Sequence, residues 1–217
     1  MGGGALSPGG LGREFFARPA WLVAPDLLGC VLEHRGDDGV VAVRLVEVEA
    51  YGGADDPASH AWRGRTARNA AMYGPPGSLY VYFVYGMHWC VNLVCEGEGT
   101  AAAVLVRAGQ VVLGAERAAG RRGQAPTRDV ARGPARLAQA LGIDGTANGI
   151  DLCATGTRLL VRARPPGPPP PIDTGPRVGV VRAAETPWRF WISGDPAVSA
   201  YRPGGRALRR DAGGSGA

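Results

Sequence analysis

Residues 40–51 read Val40-Val41-Ala42-Val43-Arg44-Leu45-Val46-Glu47-Val48-Glu49-Ala50-Tyr51, an apolar, β-branched run that turns acidic at its far end. Val40 to Ala50 is predicted to be a strand. Residues two apart on a strand share a face. Glu47, Glu49 and Tyr51 are therefore expected to point the same way, continuing the apolar row of Val41, Val43 and Leu45. Such a row, core-facing at first and polar at its end, is expected to finish at a site. Upstream, the turn Asp37-Asp38-Gly39 makes a hairpin with Val31 to His34, and a helix built on Trp21, Leu22, Leu27 and Leu28 ends near Gly29.

Downstream, Asp55-Asp56-Pro57 is expected to cap a short helix from Ala58 to Trp62, followed by a basic loop carrying Arg63, Arg65 and Arg68. Ser78 to Val84 and His88 to Val94 read as strands around the turn Tyr85-Gly86-Met87. Further strands are predicted at Ala102 to Arg107, Arg158 to Arg162, Arg177 to Val181 and Trp188 to Ile192. The stretch from Ala119 to Arg132 reads as a mobile basic loop. Pro134 starts a helix through Leu137 and Leu141, and Pro165 to Pro171 is a stiff Pro-rich connection. Connections of this kind suit an antiparallel or mixed sheet in an α+β fold rather than regular βαβ units. Residues 13–202 are expected to form one compact domain, with residues 1–12 and 203–217 as Gly- and Arg-rich tails.

The chain has 217 residues and a formal net charge of +5. It contains no lysine: all 24 cationic side chains are arginine. Arginine forks match phosphate oxygens bidentately and stack on rings, although a genome rich in G and C also replaces Lys by Arg, and the 35 Gly and 18 Pro fit that cause equally. Either way, lysine Schiff-base chemistry is excluded, leaving only the terminal amine. Cys30, Cys90, Cys95 and Cys153 show no C-x-x-C spacing, so neither a disulfide framework nor a zinc ribbon is indicated. His88 and Cys90 share a strand face that Cys95 does not, and no metal is expected. No apolar run approaches the roughly 20 residues of a membrane span, and the start lacks the regions of a secretory signal. A soluble, unsecreted, monomeric protein is expected, cytoplasmic and nucleoid-associated in a prokaryote or nuclear in a eukaryote.

Glu49 is the candidate general base: a carboxylate at the end of a buried strand, opening onto a face with Tyr51, can orient a water. Glu47, on the same face, is its rival, and pairing of Glu49 with Arg44 or Arg107 is the alternative without chemistry. Tyr80 and Tyr82 share a strand face, while Tyr85 sits at a turn from which a ring can project. Rings that hold a planar base, beside an acid that activates water, suit an enzyme acting on an extruded nucleobase; a projecting ring suits a wedge between base steps. Ordinary half-buried strand tyrosines fit the same pattern. So does a noncatalytic nucleic-acid-binding module that uses the rings for stacking. A hydrolase of small nucleosides is less well supported, for want of a second carboxylate placed as acid partner.

Val48-Glu49-Ala50-Tyr51, Asp56-Pro57-Ala58-Ser59-His60-Ala61, Arg68-Asn69, Pro76-Gly77-Ser78-Leu79-Tyr80-Val81-Tyr82, Tyr85-Gly86-Met87, Val104-Leu105-Val106-Arg107 and Arg177-Val178-Gly179-Val180 together resemble the methylpurine (alkyladenine) DNA glycosylases. The likeness runs from about Leu22 to Tyr201. It implies a single α+β domain around a curved, mainly antiparallel sheet, with no metal or organic cofactor, acting on double-stranded DNA that contains damaged purines. By the resemblance, Glu49 activates the water, which Arg107 and the Val178 carbonyl help to place. Tyr51 and His60 line one side of the flipped base and Tyr82 the other. Tyr80 supports the pocket, Asn92 restricts which purines fit, Tyr85 replaces the extruded nucleotide, and Met87 lies beside it. Arg136 stands where relatives often carry Lys and keeps a charge for a phosphate; Arg63, Arg65 and Arg68 are expected along the DNA backbone.

Overall fold

β2 (Gly39–Tyr51) is the longest strand of the protein and the axis on which the rest is hung. The structure, a computed structural model, describes residues 9–205; the outer parts of the two expected tails, 1–8 and 206–217, lie outside the described residues. One eight-stranded sheet, antiparallel at every pairing, is built around β2. Its path runs from β3 (Leu79–Val84) through β4 (His88–Cys95), β5 (Ala102–Leu113) and β2 to β1 (Val31–Gly36) and β6 (Leu159–Arg162). β8 (Arg189–Ile192) pairs with the far end of β2 and with β7 (Ile172–Gly175). The sheet curls into a half-barrel, and four helices complete an α+β fold: α1 (Arg13–Phe16), α2 (Ala20–Leu27), α3 (Ala115–Arg121) and α4 (Pro134–Leu141).

One face of the curl is dry. Val41, Val43 and Leu45 of β2 join Leu79, Val81, Val91, Leu93, Val104 and Val106, and helices α2 and α4 bring Val23, Leu27, Leu137 and Leu141 onto them. The β2 row does not keep its parity. The pairing with β5 shifts register between Leu45 and Val48, an extra residue that turns the strand over. Beyond it the core row is Val46, Val48 and Ala50. Glu47, Glu49 and Tyr51 thus share a face as expected, but it is the face opposite the apolar row, not its continuation.

Three further expectations give way to tertiary structure. Residues 58–62 form turns rather than a helix, and residues 177–181 form no strand. The start of the supposed basic loop is α3, and its arginines are committed: Arg121 bonds Asp38 and the Ala140 carbonyl, and Arg122 bonds the Val130 carbonyl and Gln139. The Pro-rich connection from Pro165 to Pro171 is irregular, as expected, and leads into β7. The four cysteines are free thiols. Among the described residues, no helix is long and apolar enough to cross a membrane.

Candidate active site

The other face of the sheet carries the polar residues, and the pairing register aligns them. Tyr80 of β3 lies opposite Asn92 of β4, Asn92 opposite Leu105 of β5, Leu105 opposite Glu49 of β2, and Glu49 opposite Arg189 of β8. Adjacent strands lie about 4.8 Å apart, so this single row brings residues from five strands side by side. Tyr82, Cys90, Arg107 and Tyr51 flank it on the same face. A cavity of about 660 Å³ opens above the row, lined among others by Tyr51, His60, Tyr80, Tyr82, Cys90, Asn92, Leu105, Arg107 and Val178.

Glu49 is fully buried and does not itself line the cavity, contrary to the expectation that it opens onto it. It stands one residue behind the wall, and each of its three partners is part of that wall. The Tyr51 hydroxyl donates to Oε2 at 2.9 Å, Arg107 Nη1 donates to the same oxygen at 3.3 Å, and the Val178 amide donates to Oε1 at 2.7 Å. It is thus the Val178 N–H, rather than its carbonyl, that meets the carboxylate. Burial, and next the Glu49 charge, push the Tyr51 phenol well above its ordinary value, so the hydroxyl stays a donor. Burial works against the Arg107 charge, but Glu49 and Glu47 outweigh it and raise its pKa.

The rival carboxylate is accounted for. Glu47 is fully buried and accepts from Arg107 Nε at 3.0 Å, Arg189 Nε at 2.8 Å, the Ser199 amide at 2.7 Å and the Ser199 hydroxyl at 2.9 Å. None of these contacts except that to Arg107 leads to the cavity. Arg44 pairs with Asp195 instead of Glu49.

The aromatic wall is closely packed. The Tyr80 and Tyr82 rings stack at 5.4 Å, and His60 meets Tyr82 edge-on at 4.5 Å between centroids. Because those rings touch, no base fits between His60 and Tyr82 as they stand; the two belong to one wall, with Tyr51 on the Glu49 side. His60 Nδ1 lies 3.0 Å from the Tyr80 hydroxyl. Burial pushes the Tyr80 phenol up to about 12, so its hydroxyl stays protonated. The His60 ring is partly open to solvent, yet desolvation against the wall, and then the Arg68 cation, hold its pKa below 6.5. Burial, and then the Cys90 thiol, raise Tyr82 as well. The Asn92 amide is fixed by donation to the Tyr80 carbonyl at 3.1 Å.

What backs Tyr51 is not legible in the local sequence. The Arg177 guanidinium lies over its ring at 4.7 Å and over Trp188 at 5.3 Å, and Trp188 stacks on Trp21. Arg177 is also bidentate to Asp56 and bonds the Ala50 carbonyl at 3.0 Å. No local pattern joins Asp56 to a residue so far along the chain. Cys90, read as a free thiol on the His88 face, and Leu105, read as part of a strand, also line the cavity, which their local pattern does not show.

At the mouth, Tyr85 is 87 % exposed with φ of +53°, and Met87 is 66 % exposed. A left-handed backbone is unusual for a bulky residue and commonly marks function. Arg63, Arg65, Arg68 and Arg136 are exposed, and no carboxylate pairs with them among the described residues. Arg68 departs from a purely backbone-facing role: it lines the cavity, lies 5.9 Å from the Tyr82 ring and bonds the Phe83 carbonyl.

Comparison with known proteins agrees with this geometry. Residues 14–196 match the family model described as methylpurine-DNA glycosylase. A Streptomyces avermitilis protein is 55% identical over 195 residues, covering 88% of this chain and 92% of that protein. A Leifsonia xyli protein is 50% identical over 200 residues, covering 88% and 92%, and one from Frankia casuarinae is 49% identical over 201 residues, covering 88% and 93%. All three carry the name "Putative 3-methyladenine DNA glycosylase".

Proposed function

The chain belongs to the methylpurine-DNA glycosylase family, and we propose that it is a hydrolase of N-glycosyl bonds that excises alkylated purines, of the 3-methyladenine type, from duplex DNA in base excision repair. The observation that carries this reading is the carboxylate behind the aromatic cavity: every group that holds Glu49 also faces the space a base would enter.

The nucleotide swings out of the helix and its base enters the cavity, while Tyr85, with Met87 beside it, takes the vacated place in the stack. Alkylation at N3 or N7 makes a purine cationic and a good leaving group, and the electron-rich faces of Tyr51 and Tyr82 attract such a base. Asn92 and His60 limit its shape. A water reaches Glu49 by taking the place of one of its donors; the Tyr51 hydroxyl is the donor whose ring an incoming base presses. Glu49 then accepts the proton of that water, with Arg107 and the Val178 backbone holding it in line, and the carboxylate offsets positive charge on the sugar. The product is an abasic site. Strand cleavage through a lysine Schiff base has no lysine to use and only the terminal amine is left, which supports a monofunctional enzyme, and it works as a monomer.

The test is release of free purine from methylated duplex DNA. Glu49→Gln retains binding to the lesion and loses release, by about 10²- to 10⁴-fold for a missing general base. Unimpaired release by this variant would remove Glu49 from the role.

A further inference from the structure

The rim of the cavity holds an indole with two guanidiniums on it. Trp62 is 39 % exposed. The Arg182 guanidinium carbon lies 4.2 Å from its ring centroid, the shortest cation-to-ring approach among the described residues, and that of Arg63 lies 5.7 Å from the same ring. Trp62 and Arg63 belong to the loop that supplies Pro57, Ala58 and His60 to the cavity; Arg182 belongs to the loop that supplies Val178 and is itself part of the lining. The indole therefore ties together two loops that flank the opening.

Most arginines with a carboxylate partner sit elsewhere, on the outer strands, the helices or under the sheet. Arg63 and Arg182 have neither a carboxylate nor a hydrogen-bond acceptor among the described residues, although both are held at the rim. A guanidinium stacked on a ring uses its face and leaves its in-plane N–H donors free. Two such cations on one indole concentrate positive charge at the rim, and the match of a guanidinium fork to two phosphate oxygens is strong and directional.

We propose that Trp62, Arg63 and Arg182 form a phosphate clamp that grips the backbone of duplex DNA beside the extruded nucleotide. The proposal rests on the reading of the cavity as a base pocket. Trp62 orients the two arginines, and Arg182 makes the contact nearest the cavity.

The experiment measures binding of one duplex carrying a single 7-methylguanine across a series of NaCl concentrations, beside purine release by the wild-type protein. Arg182→Gln should make the slope of log K against log salt shallower by about 0.9, the value for one phosphate contact. Arg158→Gln, which removes the same charge from an exposed pair with Asp37, should leave the slope as it is. Trp62→Leu should weaken binding several-fold and Trp62→Phe should restore it, since a phenyl ring still offers a face to the cations. An unchanged slope in Arg182→Gln, an equal change in Arg158→Gln, or equal binding by the Leu and Phe variants would overturn the clamp. A wild-type protein that binds but releases no purine would instead overturn the glycosylase reading.

Discussion

Glu47 and Glu49 are two residues apart on one strand, equally buried, and hydrogen-bonded to the same arginine. What separates them is where their other partners face. Glu47 is closed by Arg189 and Ser199, which belong to the packing around β8; Glu49 is closed by Tyr51 and Val178, which belong to the cavity wall. Burial and charge alone do not distinguish a structural carboxylate from a reactive one. The difference is whether removing a partner exposes the carboxylate to solvent-filled space or to more protein.

The contrast predicts opposite phenotypes. Glu49→Gln leaves Arg107 still paired with Glu47, so the catalytic loss given above should come with a small change in melting temperature. Glu47→Gln strips the carboxylate from two buried guanidiniums, and removing one member of a buried ionic cluster is destabilising by about 3–5 kcal/mol. For a chain of this size, about 2–4 °C per kcal/mol is expected, so thermal unfolding of Glu47→Gln should fall by roughly 10 °C, while residual folded protein still releases purine. If both variants lose activity and stability alike, the two carboxylates act as one unit and the distinction is void.

The same comparison extends to Arg177, which is buried like Arg107 but makes no bond to Glu49 and instead backs the ring of Tyr51. Lysine in its place keeps a charge but cannot be bidentate to Asp56 and lie flat on the ring as well. Because a small misplacement near the reacting atoms lowers rate by up to about 10², Arg177→Lys should reduce kcat for purine release by about that factor or less, with KM for the duplex little changed. A change confined to KM would mean that Arg177 serves DNA binding and not the orientation of Tyr51.

At the opposite extreme of exposure, Tyr85 supports no core. Tyr85→Ser should leave the melting temperature alone and weaken nucleotide extrusion by the roughly 1–3 kcal/mol that stacking supplies. A fluorescent base analogue opposite the hairpin reports this directly; an unaltered flipping equilibrium would count against the wedge.

How much of this could be read from the chain follows from range. The strands around Asp37-Asp38-Gly39 and Tyr85-Gly86-Met87 were legible because each is set by local alternation and turn chemistry, and so were the shared faces of Glu49 with Tyr51 and of Tyr80 with Tyr82. The resemblance supplied the roles, and the cavity brings Tyr51, His60, Tyr80, Tyr82, Asn92, Arg107 and Val178 together. Three things were not legible. The bulge before Glu47 changes which face is dry, and nothing in Leu45-Val46-Glu47 announces it. The strand expected at Arg177 to Val181 gives way to side-chain anchoring by Asp56. The basic loop is tied down by Asp38 and by carbonyls of α4, contacts between residues far apart in sequence. Isolated apolar periodicity cannot report any of these.

The smallest effect concerns His60, whose ring belongs to the aromatic wall beside Tyr82. Its folded-state pKa is lowered from 6.5, first by desolvation and then by Arg68. The imidazole is therefore neutral at pH 7, with Nδ1 hydrogen-bonded to the Tyr80 hydroxyl. A depressed histidine pKa means that below pH 6.5 the unfolded chain takes up a proton that the folded one does not, so stability is full above that pH and is lost as the pH falls toward the folded value. Thermal midpoints measured from pH 7.5 to pH 5 should then decline more steeply for the wild-type protein than for His60→Gln. Parallel curves would mean that the ring is as free to protonate in the fold as out of it, and would place it outside the aromatic wall that the contact with Tyr82 assigns it to.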